Sequence, residues 1–331
     1  MGQQTSIEWT ERTWNPTKGC SEVSPGCANC YARRQARRLR AMGQAAYQDV
    51  VDDRGHWTGG IVLAGDDTLY APLARSKPTT WFVDSMSDLF HPHCEQAWRD
   101  EVFSVMAACP QHEFQILTKR PEEMLEYVYV VSLLARGCER DQAIFDVWRA
   151  MYGDEVNDRL WPLPNVRLGV SIENQATADT RLPELAHIKR LGWKTMVSAE
   201  PLLERLDLMR SLNVCPDCGE RPGSWADGRW RYEGYVWAHH HGYPIGHVRC
   251  DVERAIDWLI VGGESGPGAR VCEVGAVKNM VRQCAAFDVP CFVKQLGSKP
   301  VWMGEPLKLK SRKGSDPAEW PEALRVREVP A

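Results

Sequence analysis

Six short apolar runs, each closing on polar or glycine residues, constrain this chain more than any other feature. They are "TTWFVDSMSD" (79–88), "FQILTKRP" (114–121), "VRLGVSIEN" (166–174), "KTMVSAEP" (194–201), "DWLIVGGESG" (257–266) and "PCFVKQLG" (290–297). Each reads as a buried strand. Between most of them lie helix-like stretches such as "CEQAWRDEVFSVMAAC" and "EVGAVKNMVRQCAAF", with apolar residues at three- and four-residue steps. Strand, helix, strand in this order implies right-handed crossovers and a parallel sheet. With "TWNP" as a first strand the count is seven, which predicts an α/β fold: a (β/α) barrel or partial barrel of parallel strands, with an open doubly wound sheet as the alternative. In all of these the carboxyl ends of the strands hold the ligand.

That rule singles out the strand-end residues Ser85, Asp88, Lys119, Glu173, Glu200, Glu264 and Lys294 as candidate cofactor contacts. Some could simply cap the helices that follow, as Asp88 or Asn174 would. Lys294 follows the apolar "CFV", so it requires either a ligand or an internal carboxylate, with Glu200 or Glu264 in reach across the mouth. "VGGESGPGAR" exposes backbone at Gly262 and Gly263, beside Glu264, for close approach of a ligand; the plainer reading is a tight turn. No lysine follows it, so it is not a phosphate loop.

Near the start, "TWNPTKGCSEVSPGCANCYARRQARRLR" brings Cys20, Cys27 and Cys30 within eleven residues. Nothing in the first residues, with Ser6-Ile7-Glu8-Trp9 polar and acidic, reads as a secretory leader, and no run is long enough to span a bilayer. The expected compartment is the cytoplasm, where thiols stay reduced and twelve cysteines are not a disulfide framework. The clustered ones then read as metal or cluster ligands. Three thiolates suit a four-iron cluster with one iron left open to a small molecule. A closed zinc site needs a fourth ligand, and between Gly19 and Ala41 there is no histidine and no other cysteine. A distant residue completing a zinc site is the alternative. The isolated Cys94, Cys109, Cys138, Cys272, Cys284 and Cys291 read as small buried residues.

The arginines that follow, Arg33, Arg34, Arg37 and Arg38 with Arg40, crowd one short helix. They read either as a solvated face or as phosphate contacts to nucleic acid beside the cluster loop. The whole chain carries a net charge of -4, so any such attraction is local. A partner protein leaves no readable trace.

Residues 211–252 break the strand–helix rhythm. Cys215-x2-Cys218 is followed by a run of histidines, His247 and Cys250. Cys215, Cys218, Cys250 and one histidine, His247 ahead of His240, are the expected ligands of a Zn2+ staple, for a segment too short and polar to have its own core. An auxiliary iron–sulfur cluster and a non-binding loop are the other readings. Its aromatic and basic residues could also stack bases. The expected organisation is the first part of the barrel over 1–210, the Cys/His-rich insertion over 211–252, the last barrel strands over 253–300, and an extended or mobile C-terminal arm over 301–331.

"IEWTERTWNPTKGCSEVSPGCANCYA", "VDSMSDLFH", "VSIEN", "SAEPLL", "DWLIVGGESGPGAR" and "FVKQLG", in this order, resemble the phage-associated three-cysteine-motif proteins. That family in turn looks like a divergent branch of the radical S-adenosylmethionine enzymes. The resemblance implies a full or partial barrel, a [4Fe–4S] cluster on Cys20, Cys27 and Cys30, and S-adenosylmethionine chelated at the open iron and cleaved to a 5′-deoxyadenosyl radical. The spacing here is C-x6-C-x2-C where the usual one is C-x3-C-x2-C. Asn29 stands where an aromatic usually precedes the third cysteine. The substrate expected is a nucleobase in DNA or RNA. The rival reading is a zinc-containing nucleic-acid-binding protein without catalysis. A weaker third is a barrel without a cluster whose carboxylates hold a divalent metal for hydrolysis.

Overall fold

The computed structural model describes residues 3–135, 161–209 and 255–330, together with two short antiparallel hairpins, Ser224–Ala226 with Arg229–Arg231 and Ala238–His240 with Tyr243–Ile245. Seven strands form one parallel sheet: β1 (Arg12–Trp14), β2 (Thr80–Val83), β3 (Glu113–Thr118), β4 (Val166–Ser171), β5 (Lys194–Ala199), β6 (Leu259–Gly262) and β7 (Cys291–Gln295). Every strand pairs with the next one in the chain. This sequential order has no switch point, which rejects the doubly wound alternative in favour of a barrel-type winding.

The helices fall in the connections as the periodicity predicts. They are α1 (Tyr31–Ala41), α2 (Gln96–Ala107), α3 (Pro121–Ala135), α4 (Gln175–Arg190) and α5 (Val274–Ala286). Strand side chains alternate between two faces. Trp81, Val83, Phe114, Ile116, Leu168, Val170, Leu259 and Val261 face outward and pack with Phe103, Met106, Leu182 and Val277 of the helices. Phe82, Met196, Ile260 and Phe292 face inward and gather with Trp9 and Trp258.

That inner cluster reveals the curl. Trp9 contacts both Phe82 on β2, at 4.8 Å between centroids, and Trp258 at the foot of β6, at 6.1 Å. In a flat sheet strands two and six would stand roughly 19 Å apart. One indole spans them only because the sheet bends into a half-barrel, with Trp9 plugging the floor opposite the carboxyl mouth.

Neither edge of the sheet is bare. Gln3–Gln4 pairs antiparallel with β1. At the other edge runs the chain after 301, expected as an extended or mobile arm. It folds back along β7, where the Val293 amide donates to the Val326 carbonyl and the Glu328 amide to the Cys291 carbonyl, both at 2.9 Å. Trp320 and Leu324 are buried, and the Arg327 guanidinium stacks between Phe292 and Trp320, 5.3 Å from each. The apolar spacing Trp320, Leu324, Val326 is what holds the arm, and covering an open strand edge is its structural use.

Candidate functional site

Cys20, Cys27 and Cys30 lie in the loop from β1 to α1, at the carboxyl end of the sheet, and each is partly exposed. The loop contains a 3-10 turn at Pro25–Cys27, and Cys30 stands at the start of α1. Three strand-end carboxylates reach this loop, and each is joined to an arginine.

Asp88, beyond β2, receives Arg120 Nη1 at 2.6 Å and Thr118 Oγ1 at 2.7 Å. Arg120 in turn donates to the Ser21 carbonyl and hydroxyl at 3.1 and 2.8 Å, with Nη1 4.0 Å from Cys20 Sγ. Glu173, beyond β4 and 1% exposed, receives Arg181 Nη1 at 2.8 Å, the Gly26 amide at 3.2 Å and the Ser24 hydroxyl. A Cβ on Gly26 would stand 2.3 Å from Glu173 Oε1, so glycine is what lets the loop close on this carboxylate. Glu264, beyond β6, is gripped by Arg270 through Nη2 (2.7 Å), Nε (3.0 Å) and its backbone amide (2.8 Å), and by Asn29 Nδ2 at 3.0 Å. Arg270 Nη1 continues to the Pro25 carbonyl at 2.8 Å. Burial alone would raise the Glu264 carboxyl; Arg270 and Asn29 outweigh it and hold it below the usual range.

Both oxygens of all three carboxylates are therefore taken by the chain itself. Asp88, Glu173 and Glu264, the expected cofactor contacts, fasten the three-cysteine loop in this structure. Their arginine partners Arg120, Arg181 and Arg270, with Ser21, Ser24 and Asn29, are the residues that strand-end reasoning missed. Arg270 closes the quoted "VGGESGPGAR", and a buried carboxylate needs a cation; that was the available signal. Asn29, which replaces the usual aromatic, is spent on Glu264 and on the Gly268 carbonyl at 3.0 Å.

Away from the loop, Lys294 on β7 pairs at 3.1 Å with Glu200 beyond β5, one of the two internal carboxylates in reach of that lysine. Glu200 Oε1 lies 2.9 Å from where a Cβ of Gly262 would sit, and Gly263 is packed against Leu296 and Cys272. The space above both glycines is filled by protein, and the Gly263 amide donates to the Gln295 carbonyl at 2.9 Å. Ser85 Oγ donates to Asn15 Oδ1 at 3.0 Å, and its carbonyl accepts the Tyr31 hydroxyl at 2.6 Å. Tyr31, 52% exposed, thus leans over the mouth. Lys119 donates its backbone amide to Asp88 at 3.3 Å. Asn174 caps α4 in a full capping box with Thr177, the plainer reading of that position.

Among the described residues no three His, Cys, Asp or Glu side chains, Cys20, Cys27 and Cys30 included, are gathered closely enough to hold a metal ion. His91, which touches the loop through Ser21, has Nε2 2.8 Å from Ser21 Oγ and Nδ1 accepting the His93 amide at 3.1 Å. Both its ring nitrogens are used, so it is no fourth ligand for Cys20, Cys27 and Cys30. The three cysteines share one loop at the mouth, and three thiolates are the donor type of an iron–sulfur cluster. Burial pushes the Cys20 thiol up to about 12, with Asp88 adding and Arg120 opposing. A bound metal ion supplies the charge that makes such a thiolate stable.

Of the arginines of α1, Arg33 donates to the Ala28 carbonyl at 2.7 Å and pairs with Glu22. Arg34 donates to the Pro267 carbonyl at 3.2 Å. Arg37 and Arg38 are exposed. The expected zinc ligands Cys215, Cys218, His247 and Cys250 lie outside the described residues, as does Cys138. Cys94, Cys109, Cys272, Cys284 and Cys291 are buried thiols, as read from the sequence.

A family described as "Protein of unknown function (DUF5131)" matches residues 4–320. The chain belongs to DUF5131. No curated protein matches it. Among solved structures, this DUF5131 protein is similar to spore photoproduct lyase in three forms. A double mutant with bound AdoMet and dinucleoside spore photoproduct gives 14% identity, 64% of this chain, 51% of that chain and a TM-score of 0.37. A single mutant gives 11%, 80%, 58% and 0.39. A complex with dinucleoside spore photoproduct gives 13%, 61%, 48% and 0.33. The chain spans about half the length of these solved chains, and at such scores no residue or reaction is carried over from them. No helix among the described residues is long and apolar enough to cross a membrane.

Proposed function

We propose that this DUF5131 protein is an iron–sulfur enzyme of the radical S-adenosylmethionine type that acts on a nucleobase in nucleic acid. One observation carries the reading: the three-cysteine loop is fastened at the mouth of a half-barrel by three carboxylate–arginine pairs, and nearby histidine and carboxylate groups are already engaged. Three thiolates on a four-iron cluster would leave one coordination position for a small molecule, whereas a structural zinc site is closed by four ligands.

Cys20, Cys27 and Cys30 would hold a [4Fe–4S] cluster. When bound, the cluster supplies the electron that breaks a carbon–sulfur bond of S-adenosylmethionine. Arg120 directs positive charge at Cys20 and so offsets the negative charge of the thiolates. Glu173 and Glu264 hold the loop backbone in one conformation, which reduces the ordering cost of binding. Ser85 and Lys119 lie beside the loop, Asp88, Glu173, Glu200, Glu264 and Lys294 would meet S-adenosylmethionine by exchanging the partners they now hold, and Gly262 and Gly263 lie beside Glu200 and the β7 end. A Zn2+ on Cys215, Cys218, His247 and Cys250 belongs to the same reading as a staple for the insertion.

Anaerobic iron, sulfide and zinc analysis tests this on the wild type and on a Cys20/Cys27/Cys30→Ala variant. The expected result is about four irons per chain, lost in the variant, with about one zinc kept in both. Zinc without iron after anaerobic reconstitution would refute the cluster and favour the non-catalytic zinc protein.

A further inference from the structure

Two basic segments far apart in sequence meet at one rim of the mouth. The first is the exposed face of α1. Arg34 reaches the 264–270 loop through the Pro267 carbonyl, and Arg37 and Arg38 lie one turn further along the same side. The second is "KLKSRK" (308–313) in the folded-back arm. It is tied to the same loop from the opposite side: Ser298 Oγ donates to the Arg312 carbonyl at 2.8 Å and accepts the Gly266 amide at 3.1 Å. The Leu296 amide also donates to the Gly314 carbonyl at 2.9 Å. Only the short 264–270 loop separates the two segments.

Lys308, Lys310, Arg312 and Lys313 are exposed, and their side chains pair with no carboxylate among the described residues. Glu319, the acid beside them, is spent on the backbone amides of Lys310 and Ser311 at 2.6 and 3.3 Å. In a chain of net charge -4, six exposed cations without an ion-pair partner among the described residues thus lie on the two segments beside the 264–270 loop. Tyr31, at the head of the same helix as Arg37 and Arg38, is half exposed and bonds through its hydroxyl to the Ser85 carbonyl at the strand ends. Cations that track a backbone, next to an aromatic face on which a base can stack, suit a single strand of nucleic acid.

We propose that α1 and residues 308–313 form a collar that binds a single strand of nucleic acid and leads a base to the mouth. This deepens the proposed function by naming what presents the substrate, and depends on that reading only for what happens to the base afterwards.

The test is fluorescence anisotropy of a labelled single-stranded oligodeoxynucleotide against the full, anaerobically reconstituted chain, between about 50 and about 200 mM salt. A Lys308/Lys310/Arg312/Lys313→Ala variant is compared, and an Arg37/Arg38→Ala variant serves as a second, independent probe. The segments are tied down by backbone groups, so these changes are expected to leave the melting temperature unaltered. The expected result is salt-dependent binding whose log–log slope falls by about 3 in the four-site variant, with at least about tenfold weaker affinity. The second variant loses about half that slope. Tyr31→Ala weakens binding without changing the slope. No binding by the wild type at the lowest salt, equal binding by both basic variants, or stronger binding of heparin or of a duplex would overturn the proposal. Iron is measured in the same samples: a chain that binds the strand but takes up no iron keeps the collar and loses the cluster.

Discussion

Glu173 shows how strand-end chemistry works at the residue scale. The sequence marks it as a polar residue at the mouth, but its partners come from positions 24, 26 and 181, which only the fold brings together. The same holds for Asp88 with Arg120 and for Glu264 with Arg270. Position at the mouth was legible; engagement was not, because an arginine's reach depends on the helix or loop that carries it. Arg181 is almost fully buried beside Glu173, so Glu173→Ala leaves a buried charge unpaired and frees the cysteine loop. The expected loss is about 3–5 kcal/mol in urea unfolding; a loss below about 1 kcal/mol would mean the pair is idle. Asp84 behaves in the opposite sense. It sits in left-handed backbone at φ 56°, where it receives the Thr17 amide and hydroxyl, and burial raises its carboxyl to about 7. Its folded-state value lies above the unfolded one, so the stability present below the ordinary carboxylate range is lost as pH rises through about 7. Asp84→Asn tolerates the same backbone and keeps a partner for Thr17. Its stability relative to wild type should rise by on the order of 2–4 kcal/mol from about pH 4 to about pH 8. A difference that stays flat with pH would show that Asp84 does not titrate in this range.

Among the elements, the strands were the most legible part of the chain. All six apolar runs and the "TWNP" segment became strands, because buried parallel strands are continuous in hydrophobicity and end sharply at the mouth. The docking of the arm after 301 is less legible, because its lysines and prolines resemble a solvated tail and its anchors, Trp320, Leu324 and Val326, are few. Those anchors cover the β7 edge, and Trp258 Nε1 donates to the Glu328 carbonyl at 2.9 Å. Trp320→Ala should therefore cost about 3–5 kcal/mol. Unchanged unfolding would mean that the arm contributes nothing to the fold.

The whole molecule is a half-barrel whose mouth is narrowed by its own side chains. Sequential strand order and the Trp9 plug set the curl, and the three carboxylate–arginine pairs then fix one loop across the opening. The overall charge of -4 gives no hint of the basic rim, because charge summed over a chain hides how it is distributed. The three cysteines are legible as neighbours in sequence, and the fold places their loop at the mouth, beside acids and a His91 that already have partners. The central claim is an open position at that site. Electron paramagnetic resonance of the reduced, reconstituted protein with and without S-adenosylmethionine tests it most directly. A cluster signal whose g values shift on addition of S-adenosylmethionine is the predicted result. A cluster signal indifferent to S-adenosylmethionine, or no cluster signal at all, would contradict it.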